Sequence, residues 1–91
     1  MIYNIIISEE ADKDIRLLKK NEPKVYQKLV KLLFELQEHP MSGTGHPKPL
    51  GGDKSGQWSR RITNKHRLIY MIEKEKIYVY VLSAYGHYDD K

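Results

Sequence analysis

Val25, Leu29, Leu32, Leu33 and Leu36 recur at steps of three and four residues, and this run constrains the fold more than any other feature of the chain. Apolar side chains at that spacing line one face of an α-helix. The run stops at His39-Pro40, because proline has no N–H and clashes with the preceding turn. Pro23, at the other end, is tolerated in a first helical turn. Upstream, Ala11, Ile15 and Leu18 repeat the pattern. Ser8 is placed to cap that earlier helix, and Glu9, Glu10 and Asp12 suit the positive end of its dipole. This spacing predicts a first helix to about Lys20, a break at Asn21-Glu22-Pro23, and a second helix to His39. The result is a helical hairpin whose apolar stripes need a sheet to cover.

The rest of the chain supplies one. Ile2-Tyr3-Asn4-Ile5-Ile6-Ile7 is β-branched and aromatic, which suits a buried strand. Trp58–Ile62, Arg67–Ile72 and Ile77–Leu82 read as further strands, with Glu73-Lys74-Glu75-Lys76 as a polar turn. Between helix and strands, Met41 to Gly56 is rich in glycine and proline. So long a connection in a compact domain is commonly functional. A short strand near Lys48–Leu50 fits within it. The order predicts an α+β domain spanning residues 1–91: an N-terminal strand, a two-helix hairpin, then a three- to four-stranded antiparallel sheet with the helices on one face.

Charge and composition narrow the function. The chain has 91 residues with a formal charge of +4. Between His46 and Leu68 stand Lys48, Lys54, Arg60, Arg61, Lys65 and Arg67 against Asp53 alone, so the excess lies in that segment. A concentrated positive field attracts RNA or an acidic protein partner. Cysteine is absent, which excludes disulfides and thiolate metal sites. No apolar stretch is of membrane-spanning length, and the N-terminal residues lack the pattern of a signal peptide. A cytoplasmic location is the expectation.

Several runs at this spacing resemble a known family. They are Ser55-Gly56-Gln57-Trp58-Ser59-Arg60-Arg61-Ile62-Thr63, His66-Arg67-Leu68-Ile69-Tyr70, Gly86-His87-Tyr88 and Gly43-Thr44-Gly45-His46-Pro47-Lys48-Pro49-Leu50. Together they resemble the Txe/YoeB branch of the RelE/ParE toxin superfamily, across the whole domain. The resemblance implies a RelE-like, microbial-RNase-type fold. It also implies a type II toxin: a metal-independent endoribonuclease, without cofactor, that cuts mRNA in the ribosomal A site. The implied partners are the ribosome, mRNA and an acidic, YefM/Phd-like antitoxin whose complex with the toxin represses their operon. A homodimer is compatible with the same resemblance, and no membrane is involved.

Such cleavage uses the neighbouring 2′-OH as nucleophile. It needs a proton acceptor, a proton donor for the leaving 5′-oxygen, and cations around the phosphorane. His87 aligns with the family's catalytic histidine and is expected to be the general acid, since imidazole titrates near neutrality. Arg67 aligns with the catalytic arginine, whose planar fork matches phosphate oxygens. Arg60 and Arg61 must point to opposite faces of a strand. Arg61 matches a functional arginine and is expected to bind RNA, which leaves Arg60 to structure or solubility. Tyr88 matches the family's terminal pair and can stack on a base; Tyr85 is as readily a packing residue. Lys54 is a further phosphate contact. Trp58 is expected to anchor the core, while Tyr70, Tyr78 and Tyr80 are expected half-buried with their hydroxyls in solvent.

One position departs from the family. Where the resemblance implies a glutamate as general base, the run reads Pro47-Lys48-Pro49. Either a neutral fraction of Lys48 takes the proton, or Lys48 only binds phosphate and His46 or a ribosomal group acts instead. The second case implies a catalytically weakened member that serves mainly as an antitoxin-binding and co-repressor module.

Overall fold

The computed structural model describes residues 2–86. In chain order it contains β1 (Asn4–Ile7), α1 (Glu9–Asn21), α2 (Pro23–Glu38), β2 (Lys48–Pro49), a 3-10 turn (Gly52–Lys54), β3 (Gln57–Arg61), β4 (Arg67–Glu73) and β5 (Tyr78–Ser83). The elements form one five-stranded sheet ordered β1-β5-β4-β3-β2. β2 to β5 make the expected antiparallel meander. β1 joins on the far side of β5 and runs parallel to it.

Local chemistry accounts for the helices. The Ser8 hydroxyl accepts from the Ala11 N–H at 3.0 Å and donates to the Leu82 carbonyl at 3.0 Å, so one side chain caps α1 and ties it to β5. Pro23 occupies the first turn of α2. Ala11, Leu18, Leu29, Leu32 and Leu36 are buried against Leu68, Tyr70, Val79 and Val81 of the sheet. Trp58 packs onto this core, as expected of an anchor.

Two expectations need correction. The N-terminal strand is not a buried one: pairing begins at Asn4, and Ile6 and Ile7 are each 38% exposed because β1 is an edge strand. Tyr70 is not half-buried with its hydroxyl in water. It is wholly buried, and its hydroxyl donates to the Pro40 carbonyl at 2.7 Å. Burial pushes the Tyr70 hydroxyl above the usual phenol range, and the nearby Arg60 charge offsets only part of that. Tyr78 and Tyr80 are half-buried, as expected.

Arg60 explains how the glycine-rich connection is fastened. Its guanidinium, fully buried, donates to the carbonyls of His39 at 2.9 Å and Ser42 at 2.8 Å and pairs with Glu35 at 3.3 Å. Gly45 then presses against β3, its carbonyl accepting from the Arg61 N–H at 2.7 Å. Its φ is +89°, and a Cβ there would lie 2.6 Å from the Arg61 carbonyl oxygen, so only glycine fits.

Candidate functional site

Residues opposite one another in a sheet share a face. Arg60 pairs with Leu68 and Trp58 with Tyr70, which sets that face toward the helices. The alternate residues therefore look the other way. Lys48 pairs with Ser59, Ser59 with Ile69, and Arg61 with Arg67, so Lys48, Arg61 and Arg67 come together on the face without helices. This is the expected split of the Arg60–Arg61 pair, and it removes Arg60 from the positive surface.

Register sharpens the arrangement. The Ile62 N–H donates to the His66 carbonyl, whereas the Arg61 N–H turns outward to Gly45 and the Arg67 N–H to Gly86. Arg61 and Arg67 thus form a non-hydrogen-bonded pair, the narrower type, with Cα atoms about 4.5 Å apart. Like charges placed directly opposite repel. A phosphate bound between two arginines relieves that repulsion. Lys48, exposed, sits diagonally from Arg61 at roughly 7–8 Å.

The same face opens into a cavity of about 310 Å³, lined in part by Glu10, Lys54, Gln57, Ile69, Ser83 and Tyr85. Lys54, delivered by the 3-10 turn, therefore borders the site, and Tyr85 joins it. His46 does not. It stands in a left-handed backbone conformation, φ 52°, and with Arg61 lines a separate cavity of about 410 Å³ against Lys28 and Lys31 of α2. His87 and Tyr88 lie outside the described residues.

The sequence gives no site role to two residues that the structure brings to the site's border. Glu10, whose place in the first turn of α1 suits the helix dipole, also lines the Lys54 cavity. His66 is fully buried between Glu22 and Gly86 directly before Arg67. Its only signal was position: the neighbour of an outward strand residue must face inward.

A helical hairpin over one sheet face, with cations gathered on the other, defines a small basic α+β protein. Residues 7–88 match the family of YoeB-like toxins of bacterial type II toxin–antitoxin systems, and the chain belongs to that family. Toxin YoeB of Mycobacterium bovis is 43% identical over 65 residues, covering 71% of this chain and 74% of that protein. The YoeB/ParE toxin from Agrobacterium tumefaciens superposes with a TM-score of 0.88 at 28% identity, covering 93% of this chain and 99% of that one. The YoeB-YefM complex from Staphylococcus aureus gives a TM-score of 0.81 at 29% identity, covering 97% of this chain and 100% of that one. The α+β, RelE-like architecture expected from the sequence is thereby confirmed, and the chain is the toxin of a type II system. Among the described residues no helix is long and apolar enough to cross a membrane.

Proposed function

We propose that this toxin is a metal-independent endoribonuclease that cuts mRNA on the ribosome and so arrests translation in the cytoplasm. The observation that carries this reading is the Arg61–Arg67 pair, two arginines directly opposed in register on the sheet face without helices, with Lys48 diagonal to Arg61. In the proposed step the 2′-OH loses its proton and the 2′-oxygen attacks phosphorus. The bond from phosphorus to the 5′-oxygen breaks, and His87 gives that oxygen a proton. The products are a 2′,3′-cyclic phosphate and a 5′-hydroxyl. Arg67 and Arg61 hold the non-bridging oxygens as charge builds on them, while Lys54 and Tyr88 grip the flanking chain. His46, on the α2 side, contacts RNA further along.

The proton acceptor is assigned to Lys48. A second reading, a weakened catalyst that acts mainly through its antitoxin, is favoured by one observation. Lys48 is exposed and stands where the family resemblance implies a glutamate. In either reading the partner is an acidic YefM-like antitoxin, supported by the net charge of +4 and by the complex formed by the Staphylococcus aureus relative.

The test is growth arrest on induced expression. His87→Ala and Arg67→Ala are expected to relieve arrest while still binding the antitoxin. Equal toxicity of both variants and parent at matched expression overturns the site assignment.

A further inference from the structure

We propose that His66, held by Glu22, is a positioning residue that fixes Gly86 against the backbone of Arg67 and so holds Arg67 in place for the reaction. The inference rests on the nuclease reading above and adds to it a device outside the reacting groups.

His66 is completely buried, and both ring nitrogens are engaged. The Gly86 N–H donates to Nδ1 at 2.8 Å, so Nδ1 carries no proton. The ring hydrogen is therefore on Nε2, which faces the Glu22 carboxylate at 3.0 Å. Glu22 stands at the N-cap position of α2 yet makes no side-chain capping bond. Its carboxylate orients His66 instead, fixing the tautomer that accepts from Gly86.

The clamp then closes on β4. The Gly86 carbonyl accepts from the Arg67 N–H at 2.9 Å, so one peptide residue is gripped at its N–H by His66 and at its C=O by Arg67. The two residues before it are held as well. The Ala84 N–H donates to Asp14 of α1 at 2.9 Å, and the Tyr85 ring lies 4.7 Å from the His66 ring. Gly86 itself has φ +73°, a left-handed turn that side chains resist. A buried histidine–carboxylate pair is a poor device for stability alone, since apolar residues of equal volume serve at least as well. Its value here lies in direction: the imidazole reads one backbone N–H next to the arginine that faces the phosphate.

Two substitutions separate positioning from bulk stability. In His66→Asn, the amide oxygen falls where Nδ1 was and can accept from Gly86, while the reach to Glu22 is lost. In His66→Gln, the amide can reach Glu22 but offers Gly86 no acceptor. Cleavage of ribosome-bound mRNA is measured for both, with the melting temperature and hydrogen exchange at the Gly86 amide. The expected result for His66→Gln is a kcat about 10–100-fold below the parent, with KM within about twofold. Exchange at Gly86 is fast in that variant. His66→Asn is expected to keep kcat within about threefold of the parent and to keep Gly86 protected. An undiminished kcat in His66→Gln overturns the proposal, as does an equal fall in both variants that tracks their melting temperatures. His87→Ala runs alongside: if it cuts like the parent, the nuclease site itself is misassigned, while Gly86 exchange still decides whether the clamp exists.

Discussion

Arg60 and Arg61 are sequence neighbours with opposite surroundings, and replacing each by methionine should separate stability from activity. The Arg60 guanidinium supplies the carbonyls of His39 and Ser42 with charged donors at 2.9 and 2.8 Å and neutralises Glu35 at 3.3 Å. Methionine matches the aliphatic stem but donates nothing. Each buried acceptor that loses its donor costs about 1–3 kcal/mol. Removing one partner of a buried ion pair costs about 3–5 kcal/mol. These contributions overlap, and the Glu35 side chain, 27% exposed, can recover water. A net loss of about 3 kcal/mol is therefore expected for Arg60→Met. At roughly 4–8 °C per kcal/mol for a domain this size, the melting temperature should fall by about 12–24 °C. The chain still folds if it starts within the usual range of about 5–15 kcal/mol. Arg61→Met removes an exposed side chain and leaves the melting temperature essentially unchanged, yet it lowers RNA cleavage. Thermal unfolding followed by circular dichroism gives the first quantity and a ribosome cleavage assay the second. An Arg60→Met protein melting within about 3 °C of the parent refutes the buried-network reasoning. So does an Arg61→Met protein as destabilised as its neighbour.

Three other outcomes are expected. Lys48→Glu should lower cleavage, by up to the roughly 10²–10⁴-fold that one proton transfer contributes; a gain instead would support the weakened-catalyst reading. Because burial raises the Tyr70 hydroxyl above its unfolded value of about 10, the folded state favours the protonated form. That stabilisation is complete below about pH 10 and is lost as pH climbs through the folded value, so urea midpoints of the parent should drop in alkali. Tyr70→Phe should lack this alkaline slope, while losing about 1–3 kcal/mol at neutral pH because the Pro40 carbonyl loses its donor. Ser8→Ala should cost about 1–2 kcal/mol in urea unfolding, since the hydroxyl both caps α1 and holds Leu82.

Local patterns in the sequence carried the helices and the meander, because a helical or alternating period is imposed by the element itself. The run from Val25 to Leu36 marks α2 within a residue or two of its observed limits. Pairing between distant strands leaves no such mark. Nothing in Asn4–Ile7 shows that it will lie parallel to β5 at an edge, half open to water. Alternation told that Arg60 and Arg61 diverge but not which turns inward. That choice is made by Glu35 and two loop carbonyls, supplied from elsewhere in the chain. The same holds for Tyr70, whose hydroxyl found the Pro40 carbonyl thirty residues upstream. At the site, Lys48, Arg61 and Arg67 were legible by resemblance, and the strand register brings them to one face. His46 was expected to share that cleft, and the tight approach of Gly45 to β3 leaves it at the other border. His66 was hidden because its role is a contact with a backbone N–H, which no side-chain pattern encodes.

Mapping the ends of mRNA cut on purified ribosomes tests the central claim most directly. Attack by the 2′-oxygen leaves a 2′,3′-cyclic phosphate on one fragment and a 5′-hydroxyl on the next, at a rate that collapses in Arg67→Ala and His87→Ala. Fragments ending in a plain 3′-hydroxyl, or undiminished cutting by both alanine variants, would contradict it.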